Sequence, residues 1–212
     1  MLGSTARVLH ALLVWLAFFA IVHFSRVVLF PAFGFFGGVI AFFMFYGGVV
    51  GWLMMRGGRL RARDLGYTRE NFGQEVILGL AGFVIISVLL LGWIYLSEGS
   101  GAISEVIDAI AGYSLVERMM FLGIGLLAAS AEETLFRGYL QPALMARFSP
   151  AIGIVVTMVL FAAHHFVDWP TVARIGSLTI ISLTFGLLRG QDRPITASFV
   201  AHTTLWLVWG TA

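Results

Sequence analysis

Residues 76–96 read VILGLAGFVIISVLLLGWIYL, a run without a single charge. A helix of that length, rising about 1.5 Å per residue, crosses the roughly 30 Å hydrocarbon core of a bilayer. Six further apolar runs flank it, at roughly 8–24, 28–55, 115–140, 151–168, 172–188 and 194–210. Together they predict an all-α polytopic transmembrane bundle of about seven spans. The second run is long for one span and holds Pro31, Gly34, Gly37 and Gly38, which suggests a bent or interfacial start. Residues 102–113 set Ile103, Val106, Ile107 and Ile110 at helical spacing beside Glu105 and Asp108. That piece is too short to span and reads as an amphipathic helix lying at the interface. Two glycine pairs, Gly34/Gly38 and Gly47/Gly51, have the spacing expected of close helix packing. The first run lacks a small-residue cleavage site and is expected to remain as a span.

Composition agrees. Of 212 residues, 59% are hydrophobic and 11% charged, and the mean hydropathy is +0.95. A soluble domain carries about 25% charged residues, so a soluble enzyme, a disordered chain and a nucleic-acid partner are all excluded. No cysteine is present, which removes disulfides, thiolate metal sites and thiol nucleophiles. The net charge is only +2, and all 13 basic residues are Arg. Their placement is informative. Arg56, Arg59, Arg61, Arg63 and Arg69 fill one loop, and placing it in the cytoplasm takes Arg7, Arg147, Arg189 and Arg193 to the same side. The opposite side receives Arg26, Arg118 and Arg174 with the acidic Glu98, Glu105, Asp108 and Asp168. This positive-inside bias predicts a cytoplasmic N-terminus and an outside C-terminus. The all-Arg composition and small size point to a bacterial inner (plasma) membrane.

Charges at membrane depth are costly and mark function. The fourth run contains Glu132, Glu133 and Arg137, the fifth His164 and His165, and the seventh His202. His10 and His23 lie near the ends of the first run and read as interfacial or packing residues. Glu133 and Arg137 are four apart and can pair on one helix face, leaving Glu132 for chemistry. Adjacent positions point about 100° apart, so the two glutamates are not expected to share a partner. The turn near Phe148-Ser149-Pro150 sets the register of a hairpin. Glu132 and His165 both fall about 24 Å from it at about 1.5 Å per residue and are expected to face each other. His164 is expected to point elsewhere.

A carboxylate and an imidazole sharing one water can abstract its proton, and the hydroxide then attacks a carbonyl while another donor steadies the oxyanion. The same side chains can hold a divalent metal such as Zn²⁺ that activates the water instead. Candidate ligands are Glu132, His165 and His202. The signatures of other intramembrane hydrolases are missing: no H-E-x-x-H pair, no G-x-S-G turn and no Tyr-Asp step with a later G-x-G-D.

In order and spacing, Glu132-Glu133-x-x-x-Arg137, Phe161-x-x-x-His165 and His202 resemble the three motifs of the CAAX protease and bacteriocin-processing (CPBP, or "Abi") family, which includes the type II CAAX prenyl endopeptidases. The resemblance covers roughly residues 115–210. It implies a catalytic core over 115–212, preceded by N-terminal membrane helices and an Arg-rich cytoplasmic loop over 1–114. It further implies an intramembrane endopeptidase that cuts a peptide or protein tail, lipidated or CAAX-like tails included, near the cytoplasmic side. Glu132 would activate water with His165, Glu133 and Arg137 would support the site, and His202 would help hold the oxyanion. The cofactor stays open between Zn²⁺ and none, because the family has been described both as metalloproteases and as glutamate proteases. One departure stands out: the third motif usually continues H-x-x-x-N, and here Trp206 occupies the Asn position. Two competing readings remain at this stage, a catalytically weak scaffold or chaperone for peptide maturation or immunity, and a small metal or proton transporter.

Overall fold

The computed structural model describes residues 4–57, 60–165, 172–190 and 193–210. The described residues form helices and short turns, with no strand among them. The outer end of the fifth run, with Asp168, lies outside the described residues, as does Arg59.

Helix α1 (Ser4–Phe24) passes through a wide π turn, Ser25–Leu29, straight into α2 (Phe30–Phe45). The helix breaks at Gly34, whose φ of 67° and ψ of 177° lie outside the helical region. Beyond the break the chain folds back, so that the Phe18 ring meets Phe42 at 6.1 Å and Tyr46 at 5.4 Å. This corrects the expectation for the glycine pairs. A Cβ on Gly34 or Gly51 would meet nothing within 4 Å, and one on Gly38 would strike the Phe30 ring across the break. Gly34 thus serves the break, because only glycine adopts this positive-φ conformation without strain. Close approach between helices is made by other glycines. A Cβ on Gly79 would lie 2.6 Å from the Ala197 carbonyl oxygen, one on Gly125 2.5 Å from Trp206 Cβ, and one on Gly176 2.1 Å from the Trp93 ring.

The Arg-rich loop turns back into the protein. Asp64 accepts from the Arg61 backbone N–H at 2.9 Å, and Leu65 is buried. Gly138 makes room for that loop: a Cβ there would lie 2.7 Å from the Leu65 carbonyl oxygen. Next come α3 (Phe72–Glu98) and α4 (Ser100–Gly112), the latter where the amphipathic helix is expected. Helix α5 (Leu115–Glu132) starts at a capping box: Ser114 Oγ accepts from the Glu117 N–H, and Glu117 accepts from the Ser114 N–H at 2.8 Å. A further π segment, Glu133–Leu140, continues it into α6 (Gln141–Arg147). Helices α7 (Pro150–His165), α8 (Val172–Arg189) and α9 (Thr196–Trp209) complete the bundle.

Among the described residues, three stretches are long and apolar enough to cross a membrane: Ser4–Gly34, Phe72–Glu98 and Leu115–Arg147, with Pro150–His165 a shorter apolar helix. Seven runs were expected. The other four runs correspond to α2, interrupted at Gly34, to α8, and to α7 and α9, whose described 16 and 14 residues span about 24 and 21 Å. Helix α9 packs against α3, α5 and α8, and α1 packs against α6 and the π segment. One core gathers Phe18, Tyr46, Phe136, Tyr139 and Phe161, and a second gathers Ile86, Leu90, Phe185 and Leu205. Large apolar side chains such as Leu13, Val84, Val88 and Val159 project outward, as helices in lipid require. The protein is an integral membrane protein.

Candidate active site

Every sequence-predicted residue reaches one place where α5, the π segment, α7, α8 and α9 meet. Glu132 ends α5, and Glu133 opens the π segment. Glu133 is fully buried. Its Oε1 accepts from Arg137 Nη1 at 3.4 Å and from His202 Nδ1 at 3.0 Å. The i,i+4 pairing of Glu133 and Arg137 is therefore present. Arg137 Nη2 also donates to the Ser182 carbonyl at 3.0 Å and to Ser182 Oγ at 2.9 Å. Its guanidinium sits over the Phe161 ring at 4.5 Å and the Phe185 ring at 5.2 Å. The other face of this arrangement is His202, stacked on Phe185 with ring centroids 4.8 Å apart.

His202 reaches both glutamates, Glu133 through Nδ1 and Glu132 through Nε2, the latter 4.0 Å from Oε2. Only the Glu133 contact is a hydrogen bond; the ring that bonds Glu133 faces Glu132 with its other nitrogen without hydrogen-bonding it. The register of the hairpin holds: one ligating atom each from Glu132, His164 and His165 lies within 4.8 Å of the others. His164, however, does not point elsewhere. Its Nε2 lies 3.8 Å from Glu132 Oε1, and its ring stacks on Phe136 at 5.0 Å. The two imidazoles are 3.9 Å apart between centroids. Side chains 100° apart still converge on a target that lies along the bisector, and Glu132 occupies that direction. His165 is the last residue of α7, and its Nδ1 bonds the Phe161 carbonyl at 2.9 Å. A carbonyl only accepts, so Nδ1 carries a proton, and in the neutral ring Nε2 presents its lone pair.

The group of three acid and imidazole ligands within mutual reach is therefore Glu132, His164 and His165, with His202 in the adjoining layer. Glu132 Oε2 and His164 Nδ1 are buried without a hydrogen-bond partner among the described residues. A cavity of about 310 Å³ opens onto Glu132, His164 and His165. Its apolar side is built from α1 and α2, including Phe18, Phe30 and Phe42, while Arg174 and Trp206 complete the polar side. Of the remaining histidines, His10 bonds Tyr139 Oη at 2.5 Å through Nδ1, and His23 packs on Phe19 at 4.2 Å, both in packing roles.

Sequence reasoning missed several contributors. Ser182 stands 45 residues from the arginine it holds, with nothing local to mark it. Tyr46 donates to the Ala131 carbonyl at 2.5 Å beside Glu132. Thr134 donates to the Ser130 carbonyl and accepts from Tyr67. Burial pushes the Tyr67 phenol up, the Thr134 bond opposes this, and the Glu133 charge adds to it, so the phenol keeps its proton for Thr134.

Residues 114–208 match the family model described as type II CAAX prenyl endopeptidase Rce1-like. This C-terminal segment, which carries Glu132, Glu133, Arg137, His164, His165 and His202, is similar to the type II CAAX prenyl endopeptidases. No curated protein and no solved structure matches the chain.

Proposed function

We propose that this protein is an intramembrane endopeptidase in which Glu132 activates a water for attack on a peptide carbonyl. The observation that carries the reading is the convergence of Glu132, His164 and His165 on one cavity, within the segment that is similar to the type II CAAX prenyl endopeptidases. A spread of 4.8 Å between ligating atoms accommodates one water held by two hydrogen bonds of about 2.8 Å. Glu132 takes a proton from that water, the new C–O bond forms, and the carbonyl becomes an oxyanion. When the C–N bond breaks, the proton passes from Glu132 to the departing amine. His165, with Nδ1 fixed on the Phe161 carbonyl, directs its Nε2 lone pair to the same water. Glu133 holds His202 through Nδ1 and turns its Nε2 toward Glu132. His202 thereby orients the base, and steadies the oxyanion whenever Nε2 carries a proton.

Glu132, His164 and His165 also fit a divalent metal such as Zn²⁺. Two imidazoles and one carboxylate form a known catalytic ligand set, and two of the buried donor atoms lack partners. Such an ion would lower the pKa of its bound water toward 7. Compared with the ligands expected from sequence, His164 takes the place of His202.

The substrate we propose is a protein or peptide tail, lipidated or CAAX-like, lying in the apolar half of the cavity between α1 and α2. The bundle reads as a catalytic core over 115–212 joined to N-terminal membrane helices over 1–114. Helices α3 and α9 pack together across that boundary. The two charged ends of the bundle support the inside-positive orientation. Arg147 reaches Thr5 and Arg193 pairs with Glu75 at one end, whereas Arg118 bonds the Ile110 carbonyl at the other. Helices α7, α8 and α9 then complete the crossings, in a bacterial plasma membrane with the N-terminus inside.

The test is cleavage of a farnesylated, internally quenched reporter peptide by the reconstituted protein. Wild type should cleave it and Glu132→Gln should not. Equal rates would refute the assignment. Absence of cleavage by both, with a folded wild type, would favour a non-catalytic scaffold.

A further inference from the structure

Two arginines at opposite ends of α8 stand in opposite surroundings. Arg189, the last residue of the helix, is buried and donates through Nε to the Arg137 carbonyl at 3.1 Å. Arg174 lies about 22 Å away along the helix, is exposed, and lines the cavity of Glu132, His164 and His165. Exposure falls from the Arg174 end inward. The Glu132 side chain is 15% exposed, those of Glu133 and Arg137 are 0% exposed, and every residue from Glu133 to Gln141 is buried. Past that layer the Arg-rich loop closes the protein. Its Leu65 lies against Gly138, and its Gly66 carbonyl accepts from the Ile195 N–H at 3.2 Å. The remaining walls of the cavity agree. On α5, which starts at the Arg118 end, the lining residues Ile124 and Ala128 precede Glu132. On α1, whose first turn meets Arg147 through Thr5, Val22 lines it from the last turn. Among the described residues, none of the Arg-rich loop and none of the π segment Glu133–Leu140 lines the cavity.

We propose that the scissile peptide bond reaches Glu132 from the face opposite the Arg-rich loop, which the inside-positive orientation makes the extracytoplasmic face. This rests on the hydrolase reading above and narrows its substrate to an exported tail or juxtamembrane segment anchored in the outer leaflet. The lining selects the same class. Phe18, Phe30 and Phe42 present apolar surface to an acyl chain or an apolar side chain. A segment anchored in that leaflet is already confined near the mouth, which raises its effective concentration over that of a peptide free in solution. The family resemblance implies cleavage near the cytoplasmic side, and this chain reverses it for a physical reason. From the Arg-rich end, the way to Glu132 is filled by the buried Glu133–Arg137 pair, by Gln141 and by the returning loop. Entry there would separate a buried ion pair and strand its charges, whereas entry past Arg174 displaces no buried charge.

The chain contains no cysteine, so single introduced thiols report access without background. In sealed spheroplasts only the outer face of the plasma membrane meets the medium. There a membrane-impermeant, charged methanethiosulfonate should consume the thiols of Val22→Cys and Ala128→Cys, which stand on opposite walls of the cavity. The thiol of Arg63→Cys, in the exposed Arg-rich loop, should react only after permeabilisation. Cavity thiols that react only from the side that modifies Arg63→Cys, or from neither side, overturn the proposal, as does reaction of Arg63→Cys in sealed spheroplasts. Cleavage in cells supplies a readout on the unmodified chain. Two fusions carry the same apolar anchor helix and the same epitope-tagged tail, placed outward in one and inward in the other. Wild type should shorten the outward tail alone, and Glu132→Gln should shorten neither. Shortening of the inward tail, alone or with the outward one, overturns the proposal. Failure of the hydrolase reading shows separately, as equal results for wild type and Glu132→Gln on both tails, and the thiol pattern still decides which face the cavity opens to.

Discussion

Replacing Glu133 by Gln changes one charge and almost no volume, and the structure says what that charge is worth. Glu133 Oε1 is the acceptor for both Arg137 Nη1 at 3.4 Å and His202 Nδ1 at 3.0 Å, and the Glu133 and Arg137 side chains are 0% exposed. Breaking one side of a buried ion pair costs about 3–5 kcal/mol, mostly because the remaining charge stays desolvated. Arg137 keeps Ser182 and the Phe161 and Phe185 faces, which places the expected loss at the lower end, about 3 kcal/mol. For a chain of this size each kcal/mol shifts Tm by roughly 2–4 °C. Glu133→Gln should therefore melt about 6–12 °C below wild type in a detergent thermal-shift assay. The Glu133→Gln/Arg137→Gln double variant should recover part of that loss relative to the sum of the single variants, because it leaves no orphan cation. Glu132→Gln, whose carboxylate has no buried cation partner, should melt with wild type. A Glu133→Gln protein that melts within about 2 °C of wild type, or a double variant that is simply additive, would refute the reasoning.

Both His164→Ala and His165→Ala should lower reporter cleavage by at least about 10², the smaller end of general acid–base contributions, and full activity of His164→Ala would remove it from the reacting group. If the trio holds Zn²⁺, elemental analysis of purified wild type should find about one equivalent, with loss in both variants. Gly79→Val should destabilise by about 1–3 kcal/mol, because the added carbons meet the Ala197 carbonyl oxygen at 2.6 Å and Val200 Cβ at 2.7 Å; an unchanged melting curve would mean that α3 and α9 do not touch there. A reporter that works only in the cytoplasm should be active when inserted in the 60–71 loop and silent after Ala212, and a strong signal at Ala212 would reverse the expected number of crossings.

Much of the fold was legible because lipid imposes it. A helix in a bilayer must satisfy its own backbone, so runs such as 76–96 announce themselves. The Glu132–His165 register followed from counting residues to a tight turn, and the Glu133–Arg137 pair from helix geometry. What was not legible required knowing where a third element lies. The direction of Glu132 relative to α7 decides whether one histidine or both face it, and no spacing within α7 encodes that direction. The glycines of residues 34–51 looked like a packing seam, but identical spacing also suits a break, and the choice depends on whether another helix stands opposite. Positions that do seat a neighbouring helix, Gly79, Gly125 and Gly176, sit in patterns no different from their surroundings. Ser182 and Tyr46 act on residues 45 and 85 positions away, beyond any local rule.

All eight residues of the π segment Glu133–Leu140 are buried. An ordinary membrane helix has a side that lipid bathes, and substitutions there are absorbed, so tolerance to change rises and falls every three or four residues. Between 133 and 140 there is no such side. The Arg-rich loop covers Gly138, α1 reaches Tyr139 through His10, and α8 and α9 hold Arg137 and Glu133. A saturation scan through this region would trace not a wave but a plateau, eight consecutive positions at which almost every exchange is felt. The width of one helical segment thus concentrates intolerance into a solid block at the place where the charges are buried.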